Sequence, residues 1–259
     1  MPDHKTKLSV LLPVRNEGVN VEVMLKFLRA VIEIEYEVVF VYDDPQDDSI
    51  PVVKRMQSKM PNLKLAHNDL GRGVANAIKT GVKASQGEYI LIFAVDEVGP
   101  VLAIDDMIAL MEEGCDFVSC TRYAHGGRRL GGSFIGGVLS KTANKIFRLI
   151  TGSAFTDATT GIKMFRKKIF EQIVLQARPV GWAVVFEMAI KAQMLGLKLG
   201  EVPIISIDRL YGGKSTFVLG PWVKEYLKWF FWGMTHLPAS KRKSAITVRM
   251  PHSVKVAKF

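Results

Sequence analysis

The sequence predicts an α/β protein: a mostly parallel sheet with helices packed on its faces. Three observations carry that expectation. Short apolar runs alternate with segments of helical period through the first half, the order that a parallel sheet requires. Two early apolar runs end in polar clusters, Pro13-Val14-Arg15-Asn16-Glu17 and Asp43-Asp44-Pro45-Gln46-Asp47-Asp48. The chain also has 259 residues, 48% of them apolar, enough to bury one large core.

The elements follow in order. Leu8–Leu12 is an apolar run closed by Pro13 and reads as the first strand. Val19–Ile32 has helical periodicity. Val38–Tyr42 is a second strand, Ile50–Ser58 a second helix and Leu63–His67 a short third strand. Gly73–Ser85 reads as a helix and Tyr89–Val95 as a strand. Ile104–Glu113 and Asp116–Thr121 repeat the pair. The second half changes character. Six glycines between 126 and 137 make a loop-rich stretch around Arg128 and Arg129. Leu139–Leu149 and Phe186–Met194 have helical period; Gly161–Phe165 and Val202–Ile207 read as strands. No repeat of solenoid period is present.

Residues 1–220 are expected to form one α/β domain, and 221–259 an aromatic helix with a basic tail. Pro221–Pro238 carries Trp222, Tyr226, Trp229, Phe230, Phe231 and Trp232 beside Lys224 and Lys228. It is short and charged for a transmembrane span. Aromatic and basic residues together suit a helix lying in the headgroup region, and an ordinary core-packing helix is the simpler alternative.

Net charge is +10 and the isoelectric point about 9.6. Such a surface favours polyanions: nucleic acid, anionic lipid or phosphorylated substrates. The acidic strand ends argue against nucleic acid. Two cysteines, Cys115 and Cys120, are too few for a disulfide framework or a zinc site. The polar start, Met1 to Lys7, does not read as a signal peptide. The expected place is the cytosol or the cytosolic face of a membrane.

Polar residues at the carboxyl ends of neighbouring parallel strands line a crevice, where nucleotides bind in open α/β sheets. Pro13, Arg15, Asn16 and Glu17 end one strand; Asp43 and Asp44 end the next and can accept hydrogen bonds from a base or a ribose. Asp47, Asp48 and Ser49 follow, and Asp48 or Ser49 is a candidate helix cap. In the turn 68–73, glycines allow close ligand approach and Arg72 can meet a phosphate at a helix amino terminus. Asp96 and Glu97 follow a strand and read either as hard ligands suited to Mg²⁺ or Mn²⁺ bridging a diphosphate or as a helix-capping acid pair. Arg122, Arg209 and Lys214 are candidates for phosphate recognition. Asp157, Glu187 and Glu201 are further acids near turns and element starts.

The motifs LLPVRNE, DDPQDDS, GRGVANAIKTGVKASQGEYILI, TRY followed by GG, DATTGIKMFRK, and GEVPI followed by DRLYGGKS occur in this order. Together they resemble family 2 glycosyltransferases, and more narrowly the dolichyl-phosphate mannose synthase-like group, from about Leu8 to Lys214. The resemblance implies a GT-A fold, with a Rossmann-like sheet. It implies a GDP- or UDP-hexose donor, Mg²⁺ or Mn²⁺, a polyprenyl or dolichyl phosphate acceptor, and inversion at the anomeric carbon. On this chain Pro13, Arg15, Glu17 and Asp44 or Asp43 would hold base and ribose. Asp96 would bind metal and diphosphate. Arg122, Ser140 and Lys141 would lie near the acceptor phosphate, with Asp157 on the acceptor side of the reaction centre. Arg209 and Lys214 would bracket the phosphates from a closing loop. One departure stands out. The family's Asp-x-Asp reads Ala94-Val95-Asp96 here, so the first carboxylate is missing and Glu97 is its candidate substitute. Two alternatives follow: a transferase acting on a glycan or other hydroxyl, and a catalytically silent binding protein.

Overall fold

The computed structural model describes residues 6–131, 134–207, 219–237 and 245–250. The first half alternates as expected: β1 Leu8–Val14, α1 Gly18–Val31, β2 Tyr36–Tyr42, α2 Ser49–Gln57, β3 Leu63–His67, α3 Val74–Ala84 and β4 Tyr89–Ile92. A 3₁₀ turn, Gly99–Ala103, leads into α4 Ile104–Glu112 and β5 Phe117–Thr121. Then come β6 Arg128–Leu130, α5 Phe134–Thr151, β7 Lys163–Arg166, α6 Ala183–Met194, β8 Leu199–Pro203, β9 Ile205–Ile207, α7 Leu219–His236 and β10 Ile246–Val248.

Eight strands form one sheet in the order β10-β8-β5-β7-β4-β1-β2-β3. All neighbours are parallel except β7, which runs antiparallel between β4 and β5. Side chains alternate between the two faces. Leu8, Val10, Leu12, Val38 and Phe40 pack with α1, α2 and α4 residues such as Met24, Val53 and Met107. Leu11, Val39, Val41, Ile90 and Ile92 pack on the other face with Ile78 of α3 and Val184 and Met188 of α6. Two buried layers on one sheet explain why the strands read as near-continuous apolar runs.

Several elements differ from the sequence reading. The strand from Tyr89 stops at Ile92, because the Glu97 N–H turns back to the Ala94 carbonyl. Val202–Ile207 divides at Ile204: β8 belongs to the main sheet, while β9 pairs with β6 in a separate two-stranded sheet. The glycine-rich stretch therefore contains a strand. The helix expected from Leu139 begins earlier, at Phe134. Beyond residue 220, α7 buries Trp229 and Glu225, and the Glu225 carboxylate accepts the Arg178 N–H at 3.0 Å. β10 extends the sheet by pairing in parallel with β8.

Candidate active site

The order 3-2-1-4 makes β1 and β4 the point where the sheet reverses direction, the usual place for a ligand crevice. The β1–β4 ladder ends at Leu11 and Ile92, with the Phe93 N–H donating to the Leu11 carbonyl. Pro13 lies two residues on and faces the same side. Its missing N–H breaks no ladder bond there, so β1 and β4 separate above it. Arg15, Asn16 and Glu17 leave β1 on this edge; Asp43 and Asp44 leave β2, Asp96 and Glu97 follow β4, and Arg122 follows β5. The topology thus brings these residues to one edge of the sheet.

On the β2 side the acids divide into two groups. Asp47, Asp48 and Ser49 serve the start of α1. Asp47 Oδ2 accepts the Asn16 N–H at 3.0 Å, Ser49 Oγ accepts the Glu17 N–H at 3.0 Å, and Asp48 Oδ1 accepts the Gly18 N–H at 2.9 Å. These bonds satisfy orphan donors at a helix start and place negative charge there. Asn16 is held at a φ of 55°, a left-handed conformation that asparagine tolerates. The capping expected of Asp48 or Ser49 on α2 is absent; Asp47 Oδ1 instead accepts the Ser49 N–H at 2.8 Å. Asp43 fixes the next turn, accepting from Asn68 Nδ2 at 2.6 Å and from the Gly73 N–H at 3.1 Å. Gly73 has a φ of 126°, and a Cβ there would come within 2.0 Å of the Pro179 carbonyl. Only glycine fits. Asp44 and Arg72 are exposed beside this turn, as is Arg15 on the β1 side.

Asp96 and Glu97 are half-buried after β4. The Ser206 hydroxyl of β9 donates to Glu97 Oε1. A Cβ on Gly99 would meet the Ile205 carbonyl at 2.4 Å, so the glycine lets β9 pass close to this turn. Among the described residues, no three His, Cys, Asp or Glu side chains stand together as a metal cage. One or two carboxylates are what Mg²⁺ requires when substrate phosphates complete its shell. Asp96, with Glu97 beside it, fits an ion shared with a diphosphate and does not fit one held by protein alone.

The β5 side is built from buried charge. Asp157 has no exposed surface. Its Oδ2 accepts Arg122 Nε at 2.7 Å and the Arg122 N–H at 3.2 Å; its Oδ1 accepts Arg122 Nη2 at 3.0 Å and the Thr159 hydroxyl at 3.0 Å. Burial pushes the Asp157 carboxyl up, but the Arg122 guanidinium outweighs it and holds the group below its ordinary value. Asn144 of α5 donates to Thr159 Oγ1 at 2.8 Å, and Ser140 Oγ lies 3.4 Å from the same oxygen. Lys141, one residue on, is exposed. Glu201 of β8 accepts the Thr156 N–H and hydroxyl, each at 2.8 Å, and burial raises its carboxyl. Behind Asp157, Lys163 is fully buried, donates to Ser119 Oγ at 2.6 Å, and is pushed down to about 8 by burial.

Arg122, Asp157 and Ser140 thus share one network, while Lys141 borders it. Arg209 and Lys214 lie outside the described residues. Glu187 has a structural task elsewhere: inside α6 it accepts the Gln176 and Ala177 N–H groups and the Lys191 ammonium. Sequence reasoning missed Lys163, Asn144 and Thr159. A lysine in the middle of the apolar run Gly161–Phe165 was the available signal for the first.

Residues 9–174 match the family profile Glycosyl transferase family 2. With a GT-A type sheet and the profile matched over more than half of the chain, the class is defined: the chain belongs to glycosyltransferase family 2. It is 26% identical over 231 residues to a dolichol-phosphate mannosyltransferase of Pyrococcus furiosus, covering 86% of this chain and 64% of that protein. It is 27% identical over 162 residues to the putative glycosyltransferase CsbB of Bacillus subtilis, covering 61% and 47%. The chain therefore spans less than two thirds of the length of these curated relatives. Among solved structures, glucosyl-3-phosphoglycerate synthase of Mycobacterium tuberculosis, in complexes that include UDP with Mn²⁺ or Mg²⁺, has a TM-score of 0.67. The identity is 14–15%, over 89% of this chain and 80% of that one. At that identity the likeness concerns the fold.

Proposed function

We propose that this chain transfers a hexose from a nucleoside diphosphate sugar to a polyprenyl or dolichyl phosphate, with inversion. The observation that carries the choice of acceptor is the Arg122–Asp157 pair. Among the described residues, the five hydrogen bonds to the Asp157 carboxylate oxygens all come from Arg122 or Thr159, and its basicity is held low. Such a carboxylate is poorly suited to take a proton from a hydroxyl. An acceptor phosphate is already an anion and needs no base. Similarity to the Pyrococcus dolichol-phosphate mannosyltransferase supports the same acceptor class.

In this reading Pro13, Arg15, Asn16, Glu17, Asp43 and Asp44 hold base and ribose, and Arg72 contributes to donor binding. Asp96, with Glu97, holds a divalent ion on the diphosphate; when bound, the ion offsets charge on the departing group. Asp157 orients Arg122 through Nε and Nη2, so that Nη1 can face the acceptor phosphate. Ser140 and Lys141 border that position, and Arg209 and Lys214 close on the phosphates. The work is positioning and electrostatic stabilisation, without a strong base. α7 lies at a lipid surface on the cytosolic side, with its basic residues toward the headgroups. Nucleic acid is not a partner.

Incubating the protein with GDP- and UDP-hexoses, Mn²⁺, and either a short polyprenyl phosphate or free sugars tests the reading. Transfer to the phosphate with inverted configuration is expected. Transfer to sugar hydroxyls alone would replace the lipid acceptor. Ala94, where a carboxylate is expected, favours a second reading as a silent nucleotide-sugar binder; absence of donor hydrolysis and of transfer would support it.

A further inference from the structure

The two-stranded sheet of β6 and β9 has an outer and an inner face. Arg128, Leu130 and Ile205 are exposed, whereas Arg129 is half-buried and Ser206 is buried. Parallel register sets Arg129 beside Ser206, so both belong to the inner face. That face lies against the turn after β4, where the Ser206 hydroxyl donates to Glu97 Oε1. The end of β5 is also close. A Cβ on Gly127 would come within 2.3 Å of the Thr121 carbonyl, so this glycine lets the chain fold back beside Arg122 before β6 begins.

The tip of Arg129 reaches α5. A Cβ on Gly137 would stand 3.8 Å from Arg129 Nη1, so the glycine leaves the guanidinium room that a longer side chain would take. Ser140 follows three residues on, along the same side of the helix. Its Oγ lies 3.4 Å from Thr159 Oγ1, and that oxygen accepts Arg122 Nη2 at 3.2 Å. Arg129 therefore stands between Glu97, reached through Ser206, and Arg122, reached through Ser140 and Thr159.

The proposed reaction needs a cation at such a place. A phosphate must approach a sugar whose leaving group is a diphosphate, and two anions brought together away from bulk water repel strongly. A guanidinium offsets that repulsion. Being planar with five N–H donors, it can also meet two anions with different edges. We infer that Arg129 is a catalytic residue spanning the two phosphate positions, with one edge toward the acceptor phosphate beside Arg122 and another toward the diphosphate at Asp96. This deepens the proposed transfer to a lipid phosphate and rests on it.

The test is calorimetric titration of a short polyprenyl phosphate into the full chain, wild type and Arg129→Ala. Each titration is run alone and with UDP or GDP plus Mn²⁺, and melting temperatures check the fold. The wild type should bind the phosphate in both conditions. Arg129→Ala should weaken that binding by about tenfold or more. With nucleotide and Mn²⁺ present the loss should be larger again, by about another tenfold, because the two anions then face each other without the cation. Arg129→Gln, uncharged and of similar reach, is the second variant should Arg129→Ala lower the melting temperature; the same losses are expected. Unchanged phosphate affinity in the folded variant, or a loss equal with and without nucleotide, would overturn the spanning role. If the folded variant loses only Mn²⁺ or nucleotide affinity, Arg129 is a counter-charge to the acidic turn; the inference fails and the lipid-phosphate reading stands. If the wild type binds no polyprenyl phosphate, the reading fails and the inference with it.

Discussion

The proposed donor half and the proposed acceptor half of the cleft anchor their acids differently. Around β1 and β2, Asp43, Asp47 and Asp48 accept from backbone N–H groups at the turns that lead into helices. Around β5 and β8, Asp157 pairs with Arg122, with Lys163 and Glu201 buried close by. The first arrangement is a set of local turns that shape an open rim. The second is a connected low-dielectric network, where every charge depends on its neighbour. The donor rim should tolerate single substitutions with modest loss of stability; the acceptor network should not.

The comparison breaks most visibly at Asp157. Asp157→Ala leaves Arg122 and Lys163 buried without their counter-charge, and removing one partner of such a pair costs about 3–5 kcal/mol. Chemical denaturation should show that loss, together with loss of transfer. A change below about 1 kcal/mol would mean the network is not cooperative. Asp96→Ala is the complementary case, with a small effect on unfolding and a fall in turnover on the order of 10²–10³-fold. Wild-type transfer rates in that variant would refute the assignment of metal and diphosphate to Asp96.

Asp47→Ala sharpens the description of the donor rim. It strands the Asn16 and Ser49 N–H groups, costing about 1–3 kcal/mol. Calorimetry with nucleotide should show weaker donor binding, whereas a loss confined to acceptor affinity would contradict the division. Ala94→Asp restores the missing carboxylate and should lower the Mn²⁺ concentration needed for half-maximal activity on the order of tenfold. An unchanged metal requirement would mean that position 94 does not face the ion.

The smallest effect is a pH dependence. Lys163 titrates near 8 when folded and near 10.5 when unfolded. Between those values the unfolded chain binds more protons, so this group makes stability rise with pH across that window. Lys163→Met should remove that rise when denaturation is compared from pH 7 to 11. An identical slope in both proteins would show that the ammonium is not desolvated.

The same contrast governs what the sequence disclosed. β3 and the starts of β1 and β4 were readable because apolar runs are bounded by turn residues. The placing of Asp43, Asp44 and Asp96 after strands was readable because each follows such a run. The Arg122–Asp157 pairing was not, because it joins residues 35 apart through an antiparallel strand inserted between parallel ones. β6, β9 and β10 are three-residue strands. Pairing with distant partners, rather than any local pattern, makes them strands. Asn144 looked like an ordinary helix residue; its role emerges only once α5 packs on the 156–160 turn.

The most direct measurement is calorimetric titration of UDP- and GDP-hexoses into wild type and Asp96→Ala, each with and without Mn²⁺. Saturable binding of one donor that strengthens with Mn²⁺ in the wild type, and loses that dependence in Asp96→Ala, is the predicted result. Failure of both donors to bind the wild type, or equal metal-dependent binding by both proteins, would contradict a sugar-nucleotide cleft built around Asp96.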